Sequence, residues 1–154
     1  MKHLETILKR IPDGRSGEKL TPGCLVLEGG AFRGLYTGGV VDTLLENNIN
    51  LQTVIGVSAG ALYGACYAAG RIGWPSRFNI SHCTDPRFAG LRAIRKNKGV
   101  IGFNNAFDQF KTEDHENILR IMDPRRRMVG VATNCLTGQP SSVLSTQSFA
   151  WTAS

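Results

Sequence analysis

The sequence predicts an α/β fold built on a mainly parallel sheet, and three observations carry that expectation. Two short apolar runs, CLVL at residues 24–27 and VIGV at residues 54–57, each end on a glycine-bearing joint. Each joint opens into small and apolar residues at helical spacing. The 154 residues hold 42% hydrophobic and 19% charged side chains, which suits one globular domain large enough for a real core.

The elements follow in order. Residues 3–10 predict a short helix, and IPDGRSGEK after it a loop marked by Pro12, Gly14 and Gly17. Together they make an N-terminal arm over residues 1–20, with the domain proper over residues 21–154. CLVLE (residues 24–28) is short, apolar and closed by glycines, and predicts a buried parallel strand. Residues 32–47 carry Val40, Val41, Leu44 and Leu45 at helical spacing, with Asn47-Asn48 as a stop. Residues 49–57 predict a second strand. Ala61, Leu62, Ala65, Cys66, Ala68 and Ala69 then suit a helix over residues 59–71 packed close to a sheet. Strand, helix, strand, helix with short joints implies a βαβ unit.

Residues 72–98 hold the turn signals Gly73, Trp74-Pro75 and Asp85-Pro86, with a short helix expected over residues 88–96. A further helix is expected over residues 113–122, stopped before Pro124. MVGVAT (residues 128–133) predicts a strand, and LTGQP a turn into a hairpin partner at residues 141–144. The final STQSFAWTAS shows no periodicity.

Composition narrows the function classes. The net charge of +6 is uneven: Arg71, Arg77, Arg87, Arg92, Arg95, Lys96 and Lys98 stand against Asp85 alone, and Arg125, Arg126 and Arg127 form a second cluster. Such patches favour anionic partners such as phospholipid headgroups or nucleic acid. Nucleic acid is disfavoured, because no aromatics interleave with the basic residues and no binding module is recognisable. Cys24, Cys66, Cys83 and Cys135 have no CxxC spacing, and MKHLETILKR has no apolar leader core, so free thiols in a reducing cytoplasm are expected. His82 beside Cys83 lacks a second pair at ligand spacing, which argues against zinc. Residues 54–70 carry Gly56, Gly60 and Gly64 but are too short and too Gly/Ala-rich to span a bilayer.

Two motifs carry chemistry. GVSAG (residues 56–60) fits G-x-S-x-G at a strand-to-helix joint. There a serine is held in a strained turn with its hydroxyl lifted clear of the sheet. Gly56 and Gly60 remove side chains that would collide at so sharp a bend. The helix that follows turns its unpaired N–H groups towards a developing anion. EGGAFRG (residues 28–34) is a glycine loop after a strand. Its G-G-x-x-x-G spacing is not the dinucleotide fingerprint, no acid closes the next strand, and no Walker A pattern occurs. Acyl transfer needs unobstructed backbone N–H groups, which Gly29, Gly30 and Ala31 can supply, with Arg33 ordering the loop or attracting an anion.

LVLEGGAFRGLYTGGVVDTLLE followed by VIGVSAGALYGACY resembles a bacterial patatin-like phospholipase domain, and HCTDPRFAGLRAI and VGVATNCLTGQP are similar to later segments of that branch. The likeness runs from about residue 24 to residue 140. It implies a three-layer α/β fold with a mainly parallel central sheet and a lipid or phospholipid ester substrate; the basic stretch from Arg71 to Lys98 would then meet an anionic membrane surface, and no cofactor or metal is expected. It makes Ser58 the nucleophile and Gly29, Gly30, Ala31 and Arg33 the oxyanion loop, with Ala31 in place of the family's third glycine.

The family's aspartate, in a D-G-G or D-G-A turn, has no counterpart. After Ser58, the residues Asp85, Asp108, Asp114 and Asp123 are followed by Pro, Gln, His and Pro, while Asp13-Gly14 belongs to the arm. The expectation is therefore an acyl hydrolase impaired for want of its base, an incomplete member of the family whose sheet lacks neighbours. The alternative is an inactive lipid- or partner-binding remnant. A Ser–His–Asp arrangement is disfavoured, since His82 and His115 lie in no loop signature.

Overall fold

The computed structural model describes residues 2–82 and 115–144. Their core is a four-stranded sheet in the order β2-β3-β5-β6, formed by β2 (Thr21–Leu27), β3 (Leu51–Val57), β5 (Arg127–Thr133) and β6 (Pro140–Leu144). β2 and β5 flank β3 in parallel, and β6 closes the sheet antiparallel to β5. This is the expected α/β class with a mostly parallel sheet and flanking helices. The hairpin after β5 also forms where its turn residues place it.

Register explains which face the core uses. Leu25, Val54 and Met128 stand side by side across three strands, and Leu27, Gly56 and Gly130 form the next row on the same face. That face buries Val54, Leu27 and Met128 against Val41 and Leu45 of α2 (Gly34–Glu46) and Tyr67 of α3 (Ala59–Ala68). The row between them, Val26–Ile55–Val129, points the opposite way, and Val26 is 70% exposed. The expectation of a fully buried first strand is thus corrected. β2 pairs on one side only among the described residues, and only its alternate residues meet the helices. Its apolar run reflects strand propensity and one buried face.

Three elements were not foreseen. Gly14–Arg15 (β1) pairs antiparallel with Arg71–Ile72 (β4), so the loop of the arm contains a strand. Trp74–His82 forms helix α4, although the sequence there shows only turn signals. Pro75 is its second residue, a position where the missing N–H has no helical partner to lose. Arg77 of α4 donates to the carbonyls of Ile11, Pro12 and Ile72 and to the Asp13 carboxylate, tying residues 11–13 to this corner. α1 (Lys2–Leu8) and α5 (His115–Ile121) complete the described elements. The helix expected over residues 88–96 and the final ten residues lie outside the described chain.

Candidate active site

The site grows from the joint between β3 and α3. Val57 ends the strand and Ala59 begins the helix, leaving Ser58 alone between them. Its backbone has φ 52 and ψ −120, a left-handed conformation that a residue with a Cβ adopts at a cost of about 1–3 kcal/mol. As the N-terminal cap of α3 it makes no side-chain capping bond, although its carbonyl accepts the Ala61 and Leu62 N–H groups. Ser58 is exposed, and its hydroxyl is not consumed by the helix it precedes.

The flanking glycines are required by contact. A Cβ on Gly56 would stand 2.5 Å from the Gly60 carbonyl oxygen and 2.6 Å from the Ala61 nitrogen. One on Gly60 would collide with the carbonyl oxygens of Leu27 and Glu28. The start of α3 thus lies directly on the carboxyl end of β2, from which the second motif leaves.

That second motif forms a tight loop. After Gly29 and Gly30, residues Ala31–Arg33 make one 3-10 turn that runs straight into α2. The Arg33 N–H donates to the Gly30 carbonyl at 2.9 Å. The Arg33 side chain lies along Gly30, where a Cβ would stand 3.4 Å from the Arg33 Cβ and 3.5 Å from its Nε. Ala31 has φ 46, so this alanine sits in the backbone region that favours glycine. Gly29 reaches the joint itself: its Cβ would be 3.2 Å from the Ser58 Cβ. The fold thereby brings the loop of Gly29, Gly30, Ala31 and Arg33 to the turn that holds Ser58, Gly56 and Gly60.

The patatin-like phospholipase family profile matches residues 25–127, two thirds of the chain, from the strand before the glycine loop to the first residue of β5. The chain belongs to the patatin-like phospholipase family. No solved structure matches it. The family acts on lipid esters, which makes a lipid acyl hydrolase scaffold of this α/β chain.

Several ionisable groups among the described residues are engaged away from the joint. Asp42 is buried in α2 and accepts the Gly73 N–H at 2.7 Å; desolvation raises its pKa above the usual carboxylate range. Asp123 is gripped by the Arg125 guanidinium and backbone N–H, which hold its carboxyl down at about 2. Asp13 is bound by Arg77. The His82 ring stacks on Phe78, and its Nδ1 lies 2.8 Å from the Phe78 carbonyl. Burial pushes the Cys66 thiol up to about 12, which leaves it without thiolate character. Cys24, Cys66 and Cys135 are free thiols.

The basic clusters divide. Arg77 is committed to the arm, and Arg126 is 2% exposed with its Nη1 bonded to Asn50 Oδ1, so neither is an open surface cation. Residues 83–114, which carry most of the first cluster, lie outside the described chain. A cleft of about 250 Å³ lies at the amino end of β5, lined by Glu18, Arg120, Asp123, Arg125 and Arg126. It sits at the opposite end of the sheet from Ser58 and holds no residue of either motif. Among the described residues, no helix is long and apolar enough to cross a membrane.

Proposed function

We propose that this patatin-like chain is a serine acyl hydrolase for lipid or phospholipid esters, with Ser58 as nucleophile. Gly29, Gly30 and Ala31 offer backbone N–H groups to the oxyanion, and Arg33 braces their loop. The observation that supports this most is the backbone of Ser58, strained to φ 52 between strand and helix, with Gly29 against its Cβ. Such strain persists where surrounding structure enforces it, and it concentrates at functional sites.

In the reaction, Ser58 Oγ attacks the ester carbonyl carbon and the carbonyl pair moves onto oxygen, towards the loop amides and the start of α3. Collapse expels the alcohol, which takes the serine proton, and water hydrolyses the acyl-enzyme. A serine hydroxyl is weak without a base. Of the described aspartates, Asp13, Asp42 and Asp123 are all held elsewhere. Where no carboxylate reaches Ser58, acylation rests on the oxyanion contacts and on binding, which in a triad enzyme stripped of its base leave about 10³–10⁴-fold catalysis over water.

The engagement of those aspartates favours a second reading, a lipid-binding scaffold that takes up an ester without turning it over. A fluorophosphonate and a short-chain chromogenic ester separate the two. Phosphonylation mapped to Ser58, and ester hydrolysis lost in Ser58→Ala, support the hydrolase. Labelling without steady-state hydrolysis supports the scaffold. A folded protein that takes no label at Ser58 removes the nucleophile assignment.

A further inference from the structure

We propose that Tyr63 is a positioning residue whose ring sets the spacing between the loop at residues 29–33 and Ser58. This rests on the reading of Ser58 as nucleophile. Tyr63 lies in the second turn of α3, five residues after Ser58, and is 3% exposed. Its ring is seated on the backbone of α2 at two glycines one helical turn apart. A Cβ on Gly34 would stand 2.7 Å from the Tyr63 Cε2, and one on Gly38 would stand 2.6 Å from its Cε1. Any larger residue at either place would drive the ring out.

The location of this contact matters more than its tightness. Gly34 is the first residue of α2, directly after the turn Ala31–Arg33 that ends the loop. The same Gly34 faces Ala59, the residue after Ser58, where its Cβ would lie 3.3 Å from that of Ala59. The ring therefore bridges two helices at the ends from which the loop and the serine turn emerge. A shift of α2 relative to α3 is a shift of the loop amides relative to Ser58 Oγ, and small misplacements of that kind are costly in rate.

The ring is also held in orientation. Its hydroxyl accepts a hydrogen bond from Asn79 Nδ2 of α4 at 3.1 Å, and the same amide donates to the Pro75 carbonyl at 2.9 Å. A residue acting only as core filler would lose stability on truncation and nothing else. Tyr67, one turn further on, is the internal comparison. It is fully buried, and its hydroxyl joins Leu51 N–H to the Ile49 carbonyl at the start of β3, the end of that strand remote from Ser58.

The test uses the full chain with Tyr63→Leu, Tyr63→Phe and Tyr67→Phe. Two readouts are taken well below the melting temperature: fluorophosphonate inactivation of Ser58, resolved into maximal rate and half-saturating concentration, and hydrogen exchange of the peptide covering the Arg33 amide. Tyr63→Leu should lower the maximal rate about tenfold or more, the effect expected of a misplaced oxyanion donor. It should leave half-saturation within about threefold and speed loop exchange, and the Phe variant should restore both. Tyr67→Phe should lose thermal stability and change neither. Equal rates and equal exchange in Tyr63→Leu and Tyr67→Phe overturn the proposal. If the wild-type chain takes no label, the nucleophile reading fails by itself, and the exchange measurement alone decides whether Tyr63 holds the loop. Should Tyr63→Leu not fold, Tyr63→Met, whose unbranched and adaptable side chain fills an irregular gap better, is read in the same way.

Discussion

Gly29 lies so close to Ser58 that a Cβ on the glycine would stand 3.2 Å from the Ser58 Cβ and 3.3 Å from the Val57 carbonyl oxygen. Such a gap admits a methyl only if the loop retreats by a few tenths of an ångström. Gly29→Ala should therefore change stability by less than about 1 kcal/mol, at the mild end of overpacking. It should also slow phosphonylation of Ser58 about tenfold, against 10²–10³ for outright loss of an oxyanion donor. Urea unfolding and labelling kinetics on one preparation check both numbers. A variant that labels at the wild-type rate would mean that the loop amides do not serve Ser58.

The strained serine makes a second contrast. Ser58→Ala removes the hydroxyl but keeps the Cβ at φ 52, whereas Ser58→Gly removes both. Relief of about 1–3 kcal/mol of strain, offset by the about 0.5–1 kcal/mol that glycine loses through its freer unfolded chain, leaves the glycine variant more stable than the alanine one by about 1 kcal/mol. Neither variant should take label. Equal denaturation midpoints for the two would show that the turn carries no strain at this residue.

Much of this was legible because the signals were local. The β3–α3 joint was readable from VIGVSAG, since an apolar run, two glycines and a small-residue helix have few other uses. α4 was hidden because Trp74-Pro75 looks like a turn, yet a proline in a helix's first turn breaks nothing. β1 and β4 have two residues each and pair across more than fifty positions of chain, so no local pattern announces them. Arg126 was hidden by its neighbours: within Arg125-Arg126-Arg127 only the middle residue turns inward to Asn50, and a run of like charges gives no phase. Tyr63 carried a faint signal, the Gly34 and Gly38 spacing of the preceding helix, which names a groove without naming what fills it.

Asp42 should make stability depend on pH. Its carboxyl is raised by desolvation, further by Glu46, and held back by the Gly73 N–H and by Arg77. As pH climbs past 3.8, the unfolded chain releases its proton first. Between that value and the raised folded one, the folded state holds more protons, so stability falls with rising pH and stays lower at neutrality. Asp42→Asn keeps an oxygen for Gly73 and removes the titration. Its unfolding free energy should equal or exceed that of wild type at about pH 7, and lose that advantage at about pH 4. An advantage that does not vary with pH would show that Asp42 titrates normally.

Arg126 tests whether the site is local. Its Nη1 donates to the fully buried Asn50 Oδ1 at 2.9 Å, and its Nε has no hydrogen-bond partner among the described residues. Burial, with Arg120 close by, pushes this guanidinium below its ordinary pKa. Arg126→Ala strands the Asn50 oxygen and opens a cavity, and should cost about 2–4 kcal/mol. The residue stands just before β5, whose Arg127 pairs with Thr53, while Val57, the neighbour of Ser58, pairs with Val131. Four residues of strand, about 13 Å, separate the two ends. Labelling of Ser58, corrected for the folded fraction, should therefore match wild type even as the urea midpoint drops. A slower corrected rate would mean that the amino end of the sheet governs the serine turn, and that contacts at residues 29–34 and 56–63 do not suffice to hold it.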